Sequence, residues 1–432
     1  MKMYDFFLAL ICFLLLLISL LALIPVLCIC QVFTLLLKIC LSIKHSQWIK
    51  FVDNYDAFLL IQKDKVKMVA NAFMIFHGTF DLEDIKTTIK TKWTNVKKKD
   101  QYKHLHLRQH TTDSCGYFFW LQDDNFSTDD HVQLYDCKPP ANQNELDGIF
   151  SELCSQALAT NKSPWLILLF PLDEYFAEEP HQYVVFFRFH HCLGDGYNLT
   201  QMICRCFLDE KCIKIPPHKP KKAFPLFTVL TTFFYFPKFI IESLIIKDRN
   251  ILHGPPQTEK TFVRPLIFCS LERVKTVAKA TGATINDIMV SCIGGALKRY
   301  FSECKAPPLG DVRCAIPIAM PVNLKDCGFK NEVAGIMLPL AISENTAVER
   351  LRRTQQETSK FKAIPFYYIS YLLFKLLFNR LPAHITNIFY REIDVTCIIS
   401  NVPLLQNPGF NHRGKQLVAC NTFPPLNNNT GM

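Results

Sequence analysis

From Phe6 to Leu37 the chain carries no charged residue. About 20 apolar residues suffice to cross a bilayer, and this run as one helix would reach ~48 Å. Pro25 divides it, so the pattern reads either as a tilted, kinked span or as a short hairpin dipping into one leaflet. A cleaved signal peptide is the third reading, although the run is much longer than a signal core of about 7–15 residues. Lys38, Lys44 and Lys50 follow the run, while Lys2 and Asp5 cancel before it. For a single span, the positive-inside rule then places everything downstream in the cytosol.

Beyond the run, two kinds of periodicity alternate. Residues 69–76, 165–170 and 183–189 are β-branched and aromatic enough for strands. Residues 82–93, 145–159 and 198–208 read as helices, the last with helical spacing and a polar start. After a Pro- and Lys-rich stretch at 212–222, strands are expected at 261–270, 312–319 and 395–400, and helices at 283–301 and 346–361. The chain therefore divides into a membrane anchor (1–45), a first α/β half (46–211), a crossover linker with an apolar helix (212–260) and a second half (261–432). Two further apolar stretches, 223–237 and 364–378, are too short for a confident span. They read either as helices packed in the linker and core or as interfacial helices that load lipid.

Composition adds little conflict. The chain is 49 % hydrophobic and 20 % charged, a globular balance that argues against disorder. Its 18 cysteines are scattered without regular spacing, which favours reduced thiols over a disulfide framework. No metal site is expected. Cys28/Cys30 lies in the apolar run and Cys204/Cys206 on a helix, and His106 and His110, with His104 before them, have no acidic or cysteine partner.

The most informative segment is His190-His191-Cys192-Leu193-Gly194-Asp195-Gly196. A strand ends and a helix begins around it, so a fold can hold an imidazole rigidly and still expose it. Neighbouring strand residues face opposite ways, so the pair is not expected to chelate one ion. A neutral imidazole can take a proton from a hydroxyl and return it to a leaving group. The alternative is a pair of packed polar residues at a strand end.

This segment resembles the HHxxxDG motif of the chloramphenicol-acetyltransferase-like superfamily of CoA-dependent acyltransferases. The rest of the chain resembles the wax ester synthase/diacylglycerol acyltransferase family. Asp56-Ala57-Phe58-Leu59 is similar to its opening motif, and Phe76-His77-Gly78 with Asp81-Leu82 to its first strand and helix start. Ser163-Pro164-Trp165 resembles the PLW block, and Asp248-Arg249-Asn250 with Leu252-His253-Gly254-Pro255 the opening of the second half. Gly282-Ala283-Thr284-Ile285-Asn286-Asp287 resembles the ND block, Pro321-Val322-Asn323 the PVN-like strand, and Ser400-Asn401-Val402-Pro403 the NVPGP block. Two departures stand out. Leu404-Leu405 replaces the Gly-Pro of that last block, and the chain stops at Met432 where relatives usually continue, so a truncated second half is expected.

The resemblance implies an α/β fold of two such half-domains with mixed sheets, and acyl transfer from acyl-CoA to a long-chain alcohol or diacylglycerol. His191 would be the general base, His190 and Asp195 would shape the turn, and Gly196 would give the backbone room. Asn286 and Asp287 divide between capping a helix and binding the acceptor. Asn401 divides between turn geometry and an active-site hydrogen bond, and Pro164 and Trp165 belong to the supporting strand. No cofactor is implied beyond acyl-CoA as co-substrate; membrane lipid is a partner and nucleic acid is not. The net charge of +10 suits an anionic membrane and a phosphate-bearing CoA, or merely solvated faces. The endoplasmic reticulum, with the catalytic part cytosolic, is the implied location, the plasma membrane the alternative. The sequon at Asn198 sits beside the motif, where a sugar would obstruct it, and this also favours the cytosol. A peptide-synthetase condensation domain shares the motif but is normally soluble and embedded in a longer chain. A membrane-tethered lipid-binding relative without activity is the non-enzymatic reading.

Overall fold

The computed structural model describes residues 3–61, 68–172, 181–209, 224–245, 248–253, 263, 269–308, 310–320, 328–362, 364–379, 381–391, 395–402, 411–412 and 414–425. The apolar run forms one unbroken helix, α1 (Met3–Lys44), straight through Pro25. The hairpin reading does not hold: one proline removes one rung of the hydrogen-bond ladder, and no polar cluster offers the chain a turn. After it come β1 (Lys50–Phe51), α2 (Asn54–Leu60), β2 (Val69–His77), α3 (Leu82–Ile89) and the short pair β3 (Lys97–Lys98) and β4 (Gln101–Tyr102). A hairpin, β5 (Gln109–Ser114) and β6 (Tyr117–Gln122), leads to β7 (Val132–Leu134), α4 (Gln143–Ser155), β8 (Trp165–Pro171), β9 (Gln182–His190) and α5 (Gly196–Phe207).

The later part holds α6 (Leu226–Ile245), α7 (Leu271–Thr281), α8 (Ile285–Glu303), β10 (Val312–Ala319) and β11 (Val333–Leu340). Then come α9 (Ala347–Lys362), α10 (Phe366–Phe378), α11 (Ala383–Arg391), β12 (Cys397–Ile398), β13 (Asn411–His412) and β14 (Lys415–Phe423). The architecture is α/β with two mixed sheets. A six-stranded sheet runs β13-β14-β2-β9-β8-β7, antiparallel except for the β7–β8 pair. A smaller sheet runs β11-β10-β12, with β10 and β12 parallel. The hairpin β5–β6 takes β1 at its free edge.

Strand β9 is the spine of the first half because its sequence is apolar on both faces, the signature of a strand covered twice. Val185, Phe187 and Phe189 pack with Trp93, Trp165 and the apolar side of α5. Val184 and Phe186 point the other way, onto Phe150 of α4 with Phe73 and Phe170. Arg188 lies on that second face and is only 2 % exposed. Its guanidinium donates to the Gln156 carbonyl at 2.5 Å and to Asn71 Oδ1 at 3.3 Å, which offsets the cost of burying the charge. The second half has its own core, where alternate residues Val312, Cys314 and Ile316 of β10 meet β11, α8 and α10.

Two features depart from the sequence-based outline. Strand β14, from the end of the chain, pairs with β2 and completes the first half's sheet, so a cut at residue 261 does not separate the two sheets. The helix expected over 82–93 keeps α-helical geometry only to Ile89 and widens into a π-helical turn at Lys90–Thr94 that buries Trp93. Smaller shifts end the 145–159 helix at Ser155 and leave only Cys397–Ile398 of the 395–400 strand. The stretch 212–222, nearly all of 261–270 and Pro321-Val322-Asn323 lie outside the described residues.

Truncating the spine should be costly. Phe187→Ala is expected to lose about 3–5 kcal/mol of stability, read as a lower urea midpoint, whereas Ile398→Ala on the exposed side of β12 should change it by under about 1 kcal/mol.

Candidate active site

Strand β9 ends at His190, and the chain then makes a 3-10 turn, His191–Leu193, before α5 begins behind Asp195. The two histidines part company here. His190 is 3 % exposed; its amide donates to the Pro164 carbonyl at 2.9 Å and its Nδ1 accepts the Cys192 N–H at 3.2 Å. With Nδ1 accepting, the neutral ring carries its proton on Nε2. Burial, reinforced by His191, lowers its pKa to about 3. His191 remains partly accessible, and its amide donates to the Met68 carbonyl at 2.7 Å. Burial also lowers its pKa below the ordinary 6.5, only partly opposed by its own backbone bond, Asp195 and Asn331. Both imidazoles are therefore neutral at pH 7.

Asp195 does three jobs with one carboxylate. Oδ1 accepts the Asn198 N–H at 2.8 Å and caps α5, while Oδ2 accepts Asn198 Nδ2 at 2.9 Å. Oδ2 also accepts the Glu332 N–H at 2.8 Å, from the segment that leads into β11 of the second half. The same segment reaches the histidine turn twice more: Asn331 Nδ2 donates to the His191 carbonyl at 2.7 Å, and the Asp195 N–H donates to the Lys330 carbonyl at 3.3 Å. Phe329 anchors it with edge-on ring contacts to Trp93 and His104 at 5.4 and 5.3 Å. At Gly194 an added Cβ would stand 3.3 Å from the Lys330 carbonyl and from Leu199, so the close approach of the two halves favours glycine there.

Helix α2 closes the turn from another side. Its Asp56 carries a carboxyl pushed well above the usual range by burial and by Asp53, with the Asn331 amide beside it as a partial counterweight. Cys192, inside the motif, is buried with its thiol pushed far up by burial and by Asp56, so it is no nucleophile at neutral pH.

The other sequence-predicted residues fall into three groups. Pro164 and Trp165 support His190: Trp165 is buried, bonds the Leu107 carbonyl through Nε1 at 3.0 Å and stacks on His131. Asn286 and Asn401 approach each other at 3.5 Å, and Val402 next door lies 3.4 Å from where a Cβ on Gly196 would stand. Asn401 thus lies next to a residue that touches the start of α5, and Asn286 lies beside Asn401. Asp287 is consumed by structure. It forms a reciprocal capping box with Thr284 and receives Thr358 Oγ1 at 2.7 Å and Lys362 Nζ at 3.1 Å. Burial would raise its pKa, but the hydrogen bonds from Thr358, Thr284 and Lys362 bring it below the usual value. Of the NVPGP-like block, Pro403 to Leu405 lies outside the described residues.

Asn198 is 1 % exposed with its amide nitrogen bonded to Asp195, so a sugar at this sequon would disrupt the cap of α5. His106 and His110 lie on a 3-10 turn and on strand β5, and His106 stacks on Trp120. A cavity of about 510 Å³ in the second half, walled by Phe239, Arg249, Arg313 and Met337 among others, takes no residue from the histidine turn.

Residues 56–227 match the wax ester synthase/diacylglycerol acyltransferase catalytic domain, and residues 329–432 match the C-terminal domain of the same family. The chain belongs to the wax ester synthase/diacylglycerol acyltransferase family. Relatives include a Mycobacterium tuberculosis protein bearing the name of a diacylglycerol O-acyltransferase, 24 % identical over 331 residues that cover 60 % of this chain and 62 % of the relative. A Mycobacterium bovis protein of like name is 23 % identical over 260 residues, covering 54 % of this chain and 56 % of its own. This chain thus spans about three fifths of those relatives' length. In fold it is similar to the wax ester synthase/diacylglycerol acyltransferase of Marinobacter aquaeolei VT8, with TM-score 0.59, 19 % identity and 88 % of each chain covered. The starter condensation domain of rhizomide synthetase, solved with C8-CoA, superposes with TM-score 0.53 at 12 % identity over 87 % of this chain and 81 % of that one. The two-halved fold is that of chloramphenicol-acetyltransferase-like and condensation-type proteins.

Sequence reasoning did not single out Asn331 and Glu332, and placed Asp56 only as part of a motif. Asn331 has no signal beyond a polar pair ahead of an alternating strand; its role comes from the fold bringing β11 to β9. Asn331→Leu keeps the size and removes the bond to His191. It is expected to cost about 1–3 kcal/mol of stability, because the buried His191 carbonyl loses its partner, and to lower turnover by loosening the turn. Steady-state kinetics together with a melting curve check both parts.

Proposed function

We propose that this chain is an acyl-CoA-dependent O-acyltransferase that esterifies a long-chain alcohol or a diacylglycerol, giving wax ester, triacylglycerol or both. The observation that carries the reading is the His191 imidazole, neutral and partly accessible at the seam between the two halves, in a chain of this family. A base must be unprotonated to act, and a pKa below the working pH keeps it so.

In this mechanism His191 takes the proton from the acceptor hydroxyl as its oxygen attacks the thioester carbonyl. The C–O bond forms, the tetrahedral intermediate collapses, the C–S bond breaks, and the departing CoA thiolate recovers the proton from the imidazolium. The products are an ester and free CoA. No acyl-enzyme forms, in keeping with the inert Cys192. His190 and Asp195 act as positioning residues, one locking the strand end and the other joining the turn to the second half. Gly196 lets Val402 approach, and Asn286 and Asn401 stand beside that contact, where an acceptor would enter. General base catalysis contributes about 10²–10⁴-fold, and orientation of the two substrates supplies the rest. Acyl-CoA serves as co-substrate and no further cofactor takes part.

The protein is proposed to work at a membrane. Helix α1 and part of α6 are long and apolar enough to cross one, and both substrates are lipids. Since acyl-CoA is cytosolic, the catalytic part faces the cytosol, with the endoplasmic reticulum as the host membrane.

His191→Ala, in microsomes supplied with labelled acyl-CoA and hexadecanol or diacylglycerol, is expected to lose about 10²–10⁴-fold of ester formation. Undiminished ester formation would remove His191 from the role of base. Product-free wild-type microsomes from a host without its own neutral-lipid synthesis would leave a lipid-binding relative instead.

The pH dependence has a defined sign. Because the His191 pKa is lowered, the acid limb of kcat/KM is expected below pH 6.5, the free-imidazole value. Stability follows the same direction. The unfolded chain binds protons near 6.5 before buried His190 does near 3, so stability contributed by its neutral state is lost as pH falls through that window. Thermal melts between pH 7 and pH 4 check this second statement.

A further inference from the structure

An apolar helix that crosses a membrane must leave its two ends on opposite sides. Helix α1 does not leave the body it precedes. At its start, Asp5 pairs with Lys238 of α6 at 3.1 Å, Phe6 stacks on Phe234 at 5.7 Å, and Phe13 lies 5.3 Å from the same ring. Helix α6 is in turn fixed in the second half's core, where Phe239 packs on Phe366 at 4.4 Å. At its other end, Leu41 is buried with Ile49, Phe119 and Leu121 under the β5–β6 hairpin of the first half, and Phe33 meets Tyr117 at 6.1 Å.

Between these anchorages one side of the helix is less exposed than the other: Ala9, Cys12 and Leu41 are buried and Phe13, Leu20, Leu27 and Thr34 are half-buried, a stripe that drifts about 20° per seven residues. The stripe from Asp5 to Leu41 is ~54 Å long at 1.5 Å per residue, well beyond the ~30 Å hydrocarbon core. The opposite side is bare and apolar, with Ile18 and Leu21 64 % and 68 % exposed. Leu226, Phe227 and Leu230 add exposed apolar surface at the start of the neighbouring α6. At the α1 C-terminal end, Lys38 lies 4.0 Å from the ring of exposed Trp48, a pairing suited to the headgroup level.

We infer that α1 does not span the bilayer but lies in its plane, docked lengthwise across both halves, with its outer face and the start of α6 sunk into one leaflet. This rests on the membrane reading of the proposed function. A free interfacial helix needs a polar face toward water; here the protein body occupies that side, which is how so uniformly apolar a helix can lie flat. Both ends of α1, and the catalytic body, then stand on the same side of the membrane. The acceptor lipid would reach the enzyme from that leaflet without a transmembrane anchor.

The test uses the full chain with an epitope at its N-terminus, in sealed microsomes where the untreated chain retains the epitope. Added protease should remove the epitope without detergent at the rate at which it attacks the body, while a lumenal marker stays intact and the protein sediments with the vesicles. An epitope shielded until detergent is added means that α1 crosses, and overturns the inference while leaving membrane binding untouched. Recovery of the chain in the supernatant after a low-salt wash overturns this inference and the membrane reading together. As a second arm, Ile18→Lys with Leu21→Lys on the outer face should move at least tenfold more protein into the supernatant, with activity toward water-soluble short-chain substrates retained. Unchanged sedimentation of that variant also counts against the in-plane placement.

Discussion

One carboxylate holds the candidate site together. Asp195 terminates the 3-10 turn that carries His191, caps α5, and bonds the Glu332 backbone of the second half. Hydrogen bonds to an ionised acceptor are about twice as strong as neutral ones, and at 4 % exposure water competes little for this one. Because the three donors come from two different parts of the chain, the histidine turn and the seam between the halves form as a single unit. Asn331 and Phe329 then have defined places, one against the His191 carbonyl and one between Trp93 and His104.

The same burial that makes this clamp strong sets the protonation of everything around it. Charged states are disfavoured, so His190 and His191 are held neutral, Asp56 is biased towards its protonated form, and Cys192 stays a thiol. Asp195, by contrast, accepts three N–H donors. A site of this kind suits chemistry in which a proton moves onto and off an imidazole without any covalent intermediate on the protein.

Helix α1 belongs to the same construction. It is tied to α6 in the second half at one end and to the β5–β6 hairpin in the first half at the other. Strand β14 also ties the halves, returning from the end of the chain to complete the sheet of β2 and β9. Together with the Asp195 clamp, these contacts join the halves at three separate places.

Much of this was legible in the sequence because it is local. Period-two and doubly apolar runs gave β2, β8, β9 and β10 nearly to the residue, and the His-His-x-x-x-Asp-Gly pattern between a strand and a helix marked the turn before any coordinates. A part for Asp287 in capping α8 follows from residue type and position, although Thr284 is the N-cap itself. The sequence also determined that α1 is apolar, since no charged residue interrupts it from Phe6 to Leu37. Tertiary structure alone decided what lies far apart in the chain. Asn331 reaches His191 and Glu332 reaches Asp195 across about 140 residues, β14 joins a sheet begun near residue 69, and Asn198 of an apparent sequon proves to be sealed inside a cap. Whether α1 stands away from the body or lies along it is equally beyond periodicity, because an all-apolar helix gives no sign of which side a protein will cover. Local pattern fixes backbone state and facing; contact partners depend on loop closure and packing, which no short window of residues encodes.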